Sequence, residues 1–290
     1  MYAIIGASGK VGYATSKALR QANVPIRAIL RSSAKAAQLQ EIGCEVAVAD
    51  LLDAESLKKA LANAEAVQVI IPPSPQAKDG EQEMRDIIEN VVKALVQTKP
   101  KKILAVSDYG SHVQSDIGMP TLFRGLEEKL SQLPGHKIFA RTAEHMQNWG
   151  RSIPPALESG TLVSLHNPLD VPFPTISAPD LGAIAAELLL QPAGGDRIHI
   201  VHAEGPRRYT ANNVAAVLSE LSGRTISAAA LPRSEWQPLM ERGLSPTLAT
   251  LIVKANDAQN QPGVVDVEEG VGEVRYGTTE LIEALRPLVS

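Results

Sequence analysis

The sequence predicts an α/β protein: a doubly wound parallel sheet with a smaller, mostly helical C-terminal unit. Three observations predict it. Residues 2–12, Tyr-Ala-Ile-Ile-Gly-Ala-Ser-Gly-Lys-Val-Gly, run from a short apolar stretch straight into glycines at Gly6, Gly9 and Gly12, and then into a helix-like segment at 13–22. Apolar runs of strand length and amphipathic runs of helix length then alternate through the first 150 residues. That alternation demands right-handed crossovers and a parallel sheet covered on both faces. Beyond residue 150 prolines crowd the chain (Pro154, Pro155, Pro168, Pro172, Pro174) and repeated strand signals fade.

Each element has a local reason. Residues 3–5 are a buried strand by their continuous apolar run. Pro25 breaks the first helix, and 26–30 is a second strand. Residues 32–42 form a short helix closed by Gly43, a natural C′ glycine. A third strand at 45–49 ends at Asp50, and Asp53 is placed to cap a helix reaching residue 62. The run 66–71, apolar except for Gln68, is a fourth strand stopped by Pro72-Pro73. A long amphipathic helix at 81–97, a fifth strand at 103–106, a helix at 121–133 and a sixth strand at 137–141 follow. Residues 1–150 are expected to form the nucleotide-binding domain, completed by a helix at 180–190 and a strand at 198–202 within about 178–203. Residues 151–177 and 204–290 are expected to form the smaller substrate or lid domain, with helices at 211–221, 246–256 and 278–288.

Composition narrows the function. With 44% hydrophobic residues over 290, the chain can bury a proper core. Aromatics make up only 3%, which leaves no platform for stacking single-stranded bases, and the net charge of −4 gives no attraction to nucleic acid or anionic membranes. No apolar run approaches the roughly 20 residues a bilayer span needs. Cys44 is the only cysteine, so it reads as a small buried hydrophobe rather than a nucleophile, and a cytoplasmic location is expected. The six histidines are scattered, and no metal site is expected.

In such sheets ligands bind outside the carboxyl ends of the strands. The loop Gly6, Ser8, Gly9, Lys10, Val11 and Gly12 is therefore placed to cradle a pyrophosphate against a helix N-terminus. Its GxxGxxG spacing is looser than the GxGxxG fingerprint, so its position between strand and helix carries the reading. Residues 1–40 contain no aspartate or glutamate. Where an NAD-specific site holds a carboxylate at the end of the second strand, this chain has Arg31, with Lys35 one turn further on. A guanidinium there can grip a 2′-phosphate, so the expected cofactor is NADP(H). Asp50 is placed to bond an adenine amino group, or else to help the following helix start. Pro72 and Ser107, at the ends of the fourth and fifth strands, complete this edge.

The chain resembles the NmrA-like branch of the atypical short-chain dehydrogenase/reductase superfamily over nearly its full length. The resemblance rests on Gly6-Ala-Ser-Gly9-Lys-Val-Gly12, Arg31-Ser-Ser-Ala-Lys35-Ala and Gly43-Cys-Glu-Val-Ala-Val-Ala-Asp50-Leu-Leu-Asp53. It continues in Ser107-Asp-Tyr109-Gly110, Arg141-Thr-Ala-Glu-His-Met146-Gln-Asn148 and Gly205-Pro-Arg-Arg-Tyr-Thr210. It implies a Rossmann-type domain with a smaller C-terminal domain, a cleft between them, and Met146 and Asn148 beside a nicotinamide pocket. Members include NADP(H)-dependent quinone or ene reductases, and non-catalytic redox sensors that regulate partner proteins. The superfamily's Tyr-x-x-x-Lys pair has no good counterpart: Tyr13 and Lys17 lie on the wrong helix, and Val113 stands four residues after Tyr109. The lysine or histidine that several members carry before Glu127-Glu-Lys-Leu130 is replaced near Phe123 or Arg124. Tyr109 is left as the candidate for polarising an acceptor oxygen. The expected activity is NADPH-dependent reduction of small quinones or conjugated carbonyl compounds. The alternative is an NADP(H) sensor acting through a protein partner, and a homo-oligomer is compatible with either.

Overall fold

Eight strands form one parallel sheet in the computed structural model, which describes residues 1–289. The first half runs β1 (Tyr2–Ile5), α1 (Lys10–Gln21), β2 (Ile26–Leu30), α2 (Ala36–Glu41), β3 (Glu45–Val48), α3 (Ala54–Leu61) and β4 (Ala66–Val69). It continues with α4 (Gly80–Thr98), β5 (Lys102–Asp108), α5 (Met119–Ser131), β6 (His136–Thr142) and β7 (Glu144–His145). The second half runs α6 (Ile153–Ser159), β8 (Thr161–Ser164), β9 (Thr175–Ile176), α7 (Ala178–Leu190), β10 (Arg197–Glu204) and α8 (Ala211–Ser222). It closes with β11 (Ser227–Ala230), α9 (Trp236–Glu241), α10 (Pro246–Gln259), β12 (Glu273–Tyr276) and α11 (Leu281–Val289). The sheet order is β3-β2-β1-β4-β5-β6-β10-β12, so the strand order reverses at β1, between β2 and β4. The crevice at that reversal is where a doubly wound sheet takes its ligand.

Alternating side chains divide the core in two. Ala3, Ile5, Val67, Val69, Ile103 and Ala105 pack against α3, α4, α5 and α10 on one face. Ile4, Ala66, Leu104 and Val106 pack against α1 and α7 on the other. Helices α1 and α7 approach closely because Gly182 has no side chain: a Cβ there would lie 2.5 Å from Ala14 Cβ and 2.6 Å from Val11 O. A third core, built from Met146, Trp149, Ile153, Leu162, Phe173, Leu218 and Leu285 among others, holds the remaining helices together. Cys44 lies in the α1 face, and burial pushes its thiol up, so it stays protonated as a small hydrophobe would.

Three local outcomes differ from expectation, each for a physical reason. The proline-crowded stretch begins a helix, since Pro154 and Pro155 fall in the first turn of α6, where a missing N–H costs nothing. The last helix starts at Leu281 rather than 278, because Asp180 takes the Thr279 N–H (2.8 Å) and hydroxyl (2.7 Å) and holds 277–280 as a loop. The third outcome is β12, which adds an edge strand to the sheet beside β10; its four residues are half-buried to exposed, so its pattern is weak. Asp53 does cap α3 as expected, accepting from Glu55 N at 2.9 Å.

One buried ion pair ties the sheet to α5 near its carboxyl edge. Arg141, the penultimate residue of β6, donates from Nε to Glu127 Oε1 (3.0 Å) and from Nη2 to Oε2 (2.8 Å), both side chains being almost fully buried. Ser107 of β5 (2.6 Å) and Ser111 (2.9 Å) donate to the same Glu127 oxygen, and Arg141 also reaches Glu268 in the loop before β12. Removing one partner of such a pair strands the other charge in a dry interior, at about 3–5 kcal/mol. Arg141→Ala should therefore lower unfolding free energy by about that amount in denaturant titration, and the paired change Arg141→Met with Glu127→Gln should recover most of it. A loss under about 1 kcal/mol would show that water already screens the pair.

Candidate functional site

The glycine loop is shaped by three different demands. Gly6 has φ +76°, a left-handed backbone that side chains rarely tolerate. Gly12 is pressed against the chain: a Cβ there would lie 2.4 Å from Gly6 O and 2.8 Å from Ala7 Cα. Gly9 is different, since its Cβ would meet only Gly6 O at 3.4 Å and otherwise project into open space. Gly9 is also the N-cap of α1, with no side-chain cap and no acid in the first turn. The first-turn N–H groups of a 12-residue helix are thus left for an anion. Ser8 lines this loop half-buried, Lys10 is exposed and Val11 is buried.

Beside the loop, Arg31 follows β2 and is exposed, its Nη1 donating to Ser74 Oγ (3.0 Å) in the segment after β4. Lys35 is exposed on the short helical turn at 33–35. Asp50 is exposed, and its Oδ1 accepts from Leu52 N at 2.9 Å, so it shapes the approach to α3 while Asp53 makes the cap. Pro72 is half-buried in the β4–α4 connection. These positions form one edge with the glycine loop between the cationic and the apolar parts. A pyrophosphate nucleotide fits it: uncapped helix N–H groups, an open Gly9, and an exposed guanidinium and ammonium with no carboxylate paired to them.

The other end of the crevice departs from expectation. Ser107 is 1% exposed and turned to Glu127, so its hydroxyl is spent inside the fold. Tyr109 was placed at the cleft by its position after β5, yet it too is 1% exposed. Its hydroxyl donates to Glu204 Oε1 (3.1 Å), and its ring lies edge-on to His202 at 5.7 Å. Arg208 clasps Glu204 (2.8 Å) and Asp266 (2.5 Å), closing the loop before β12 over this phenol. Burial and the Glu204 carboxylate push the Tyr109 hydroxyl well above its usual range. Met146 is fully buried in the third core, while Asn148 is exposed and bonds Glu144.

Charged groups the motif reading did not single out stand at the ends of β5 and β6. Asp108 is half-buried; burial first, then the Glu144 charge, raises its carboxyl to about 7. Burial alone would raise Glu144, but bonds from His166 (3.1 Å) and Asn148 outweigh it and hold that carboxyl below its usual value. Burial lowers His145 to about 4, so its ring is neutral, and its Nε2 is buried with no partner. The one signal available in the sequence is Asp108, an acid two residues after the apolar run 103–106; Glu144 stands four residues past its own run and has no such mark. Among the described residues no group of three or more His, Cys, Asp or Glu could hold a metal ion, and no helix is long and apolar enough to cross a membrane.

Comparison with known proteins places this geometry. An NAD(P)H azoreductase of Xenophilus azovorans is 24% identical over 232 residues, 80% of this chain and 77% of that one. An NADPH-dependent quinone oxidoreductase from Escherichia coli, solved with NADPH, superposes over the whole of both chains with TM-score 0.80 and 24% identity. A Citrobacter triphenylmethane reductase solved with NADP(H) gives TM-score 0.78 at 22% identity, covering 99% of each chain. The profile of the NmrA-like family matches residues 2–281, nearly the whole sequence, and the chain belongs to that family.

Proposed function

We propose that this protein binds NADP(H) and reduces a small conjugated acceptor, a quinone or an unsaturated carbonyl compound. The observation that carries the reading is the pairing of an uncapped glycine loop with a cation in place of the usual acid after β2. Relatives that reduce quinones, azo compounds and dyes with NAD(P)H support it. The first turn of α1 would hold the pyrophosphate, and Gly9 would let the backbone approach it. Arg31 and Lys35 would take the 2′-phosphate, and Asp50 the adenine edge. Asn148 would border the nicotinamide. When bound, NADPH supplies a hydride from the nicotinamide C4. The chain contributes position: a planar acceptor would lie at the carboxyl ends of β5 and β6, near the loop that precedes β12.

Gly9→Val should abolish NADPH binding in calorimetry while circular dichroism stays unchanged, since the new side chain fills the space left for the pyrophosphate; unchanged affinity would remove the dinucleotide reading. Arg31→Ala should bring NADPH affinity down to that for NADH, a loss of tenfold or more that shrinks with added salt. Equal affinities for the two cofactors in the unmodified protein would make Arg31 an ordinary surface charge. Tyr109→Phe tests the remaining role for that phenol. Because its hydroxyl is bound to Glu204, turnover across a panel of quinones and enals should change by less than about threefold, with a modest loss of stability of about 1 kcal/mol. A tenfold or larger fall at unchanged stability would return Tyr109 to the chemistry. Saturable NADPH binding with no acceptor-dependent oxidation in the same panel would favour the sensing alternative, in which the protein acts through a partner.

A further inference from the structure

The proposed reduction needs a proton as well as a hydride, and the residue expected to help with it, Tyr109, is bound to Glu204 inside the fold. We propose that Asp108 is the proton donor, a catalytic residue standing where the nicotinamide end of the cofactor meets the acceptor. This rests on the reductase reading above.

The geometry comes from the register of the sheet. Leu104 and Val106 point to the face covered by α1 and α7, and Ser107 turns the opposite way to Glu127 on α5. The alternation along β5 therefore returns Asp108 to the α1 face, the face on which the glycine loop opens. The order across the sheet sets the direction of the cofactor. Arg31 follows β2, so the adenosine end extends from β1 toward β2 and β3, and the nicotinamide end extends toward β4 and β5. Asp108 is the last residue of β5, opposite Thr142 of β6, two residues before Glu144.

The surroundings favour a carboxylic acid over a carboxylate. No cation pairs with Asp108 among the described residues. The charged groups that face it are Glu144, beyond β6, and Glu127, on α5, which is committed to Arg141. Only the Tyr109 N–H favours its ionised form. Glu144 in turn keeps its charge through His166 and Asn148. Beside Glu144, the neutral His145 carries a buried Nε2 with no partner, a polar atom waiting for one from a ligand. Lys10, at the start of α1, acts on the same imidazole from the glycine-loop side. Glu144 thus acts on both Asp108 and His145, and Asp108 is not fully buried.

The step balances as follows. The acceptor gains a hydride with its electron pair, and negative charge collects on an acceptor oxygen. The Asp108 O–H bond breaks as that oxygen takes the proton. The acceptor is reduced by two electrons, NADPH is oxidised to NADP⁺, and the Asp108 carboxylate regains a proton from water.

Two readouts need no turnover. Carbon-13 NMR of aspartate-labelled, ligand-free protein should show one carboxyl titrating near 7, absent from Asp108→Asn. Because the folded acid keeps a proton that the unfolded chain releases, the unmodified protein should lose stability relative to Asp108→Asn as pH rises from the ordinary aspartate value near 4 to about 7. In turnover, Asp108→Asn should lower kcat for a quinone by about 10²–10⁴-fold with NADPH affinity held, and should erase a fall in kcat above about pH 7. Asp108→Glu should keep part of the rate and the pH break. If the unmodified protein turns over and Asp108→Asn matches it within about twofold, or if every aspartate titrates below about pH 5, the assignment is overturned and the reductase reading stands. If the unmodified protein binds NADPH but oxidises it with no acceptor, both fall.

Discussion

The buried pair of Arg141 and Glu127 is the constraint on which the active edge of this protein depends. Each charge would be costly alone in the interior, and together they are tolerable only because every oxygen of Glu127 is met by Arg141 or by Ser107 and Ser111. The consequence is geometric. Strands β5 and β6, helix α5 and the loop carrying Glu268 are bound at one point, so the carboxyl ends of these two adjacent strands have a fixed relation. Such a pair need not add net stability over an apolar equivalent. Its effect is to fix where Asp108 and Glu144 emerge.

Around that point the crevice has two electrostatic ends. The end over β1 and β2 carries uncapped helix N–H groups, Arg31 and Lys35, with no acid in the first forty residues. It suits phosphates. The end over β5 and β6 carries Asp108, Glu144 and the neutral His145. Burial and neighbours push the proton affinities of these two chemically similar carboxyls apart, raising Asp108 to about 7 while Glu144 is held below its usual value. A ligand that is anionic at one end and uncharged or electron-donating at the other matches this polarity.

Membership of the NmrA-like family agrees with the parallel sheet and the glycine loop, whereas the proton donor we propose rests on this chain's own Asp108. The superfamily's tyrosine and lysine are not paired here. The one tyrosine near the site is held in a separate network of Glu204, Arg208 and Asp266, which fastens the loop before β12 across β10. That network makes Tyr109 part of the scaffold, and the residue before it, Asp108, is the less buried of the two.

The sequence by itself determined the alternating elements, because apolar period, turn glycines and caps such as Asp53 and Thr210 act within a few residues of one another. The glycine loop and the exposed Arg31 were legible too, since Gly6, Gly9, Gly12 and Arg31 all lie in or just after the first β-α-β segment, whose geometry is local. The tertiary structure decided the acceptor end. Whether Tyr109 opens to a crevice or meets Glu204 depends on β10, which is 95 residues away in the chain. The proton on Asp108 depends on Glu144 from a neighbouring strand end and on how deeply both are set. The edge strand β12 and the packing of α10 against α4 were likewise hidden, because a half-exposed four-residue strand and a weakly amphipathic helix acquire their partners only when the sheet is assembled. Desolvation and charge–charge repulsion act through space, so they have no signature in the order of residues along the chain.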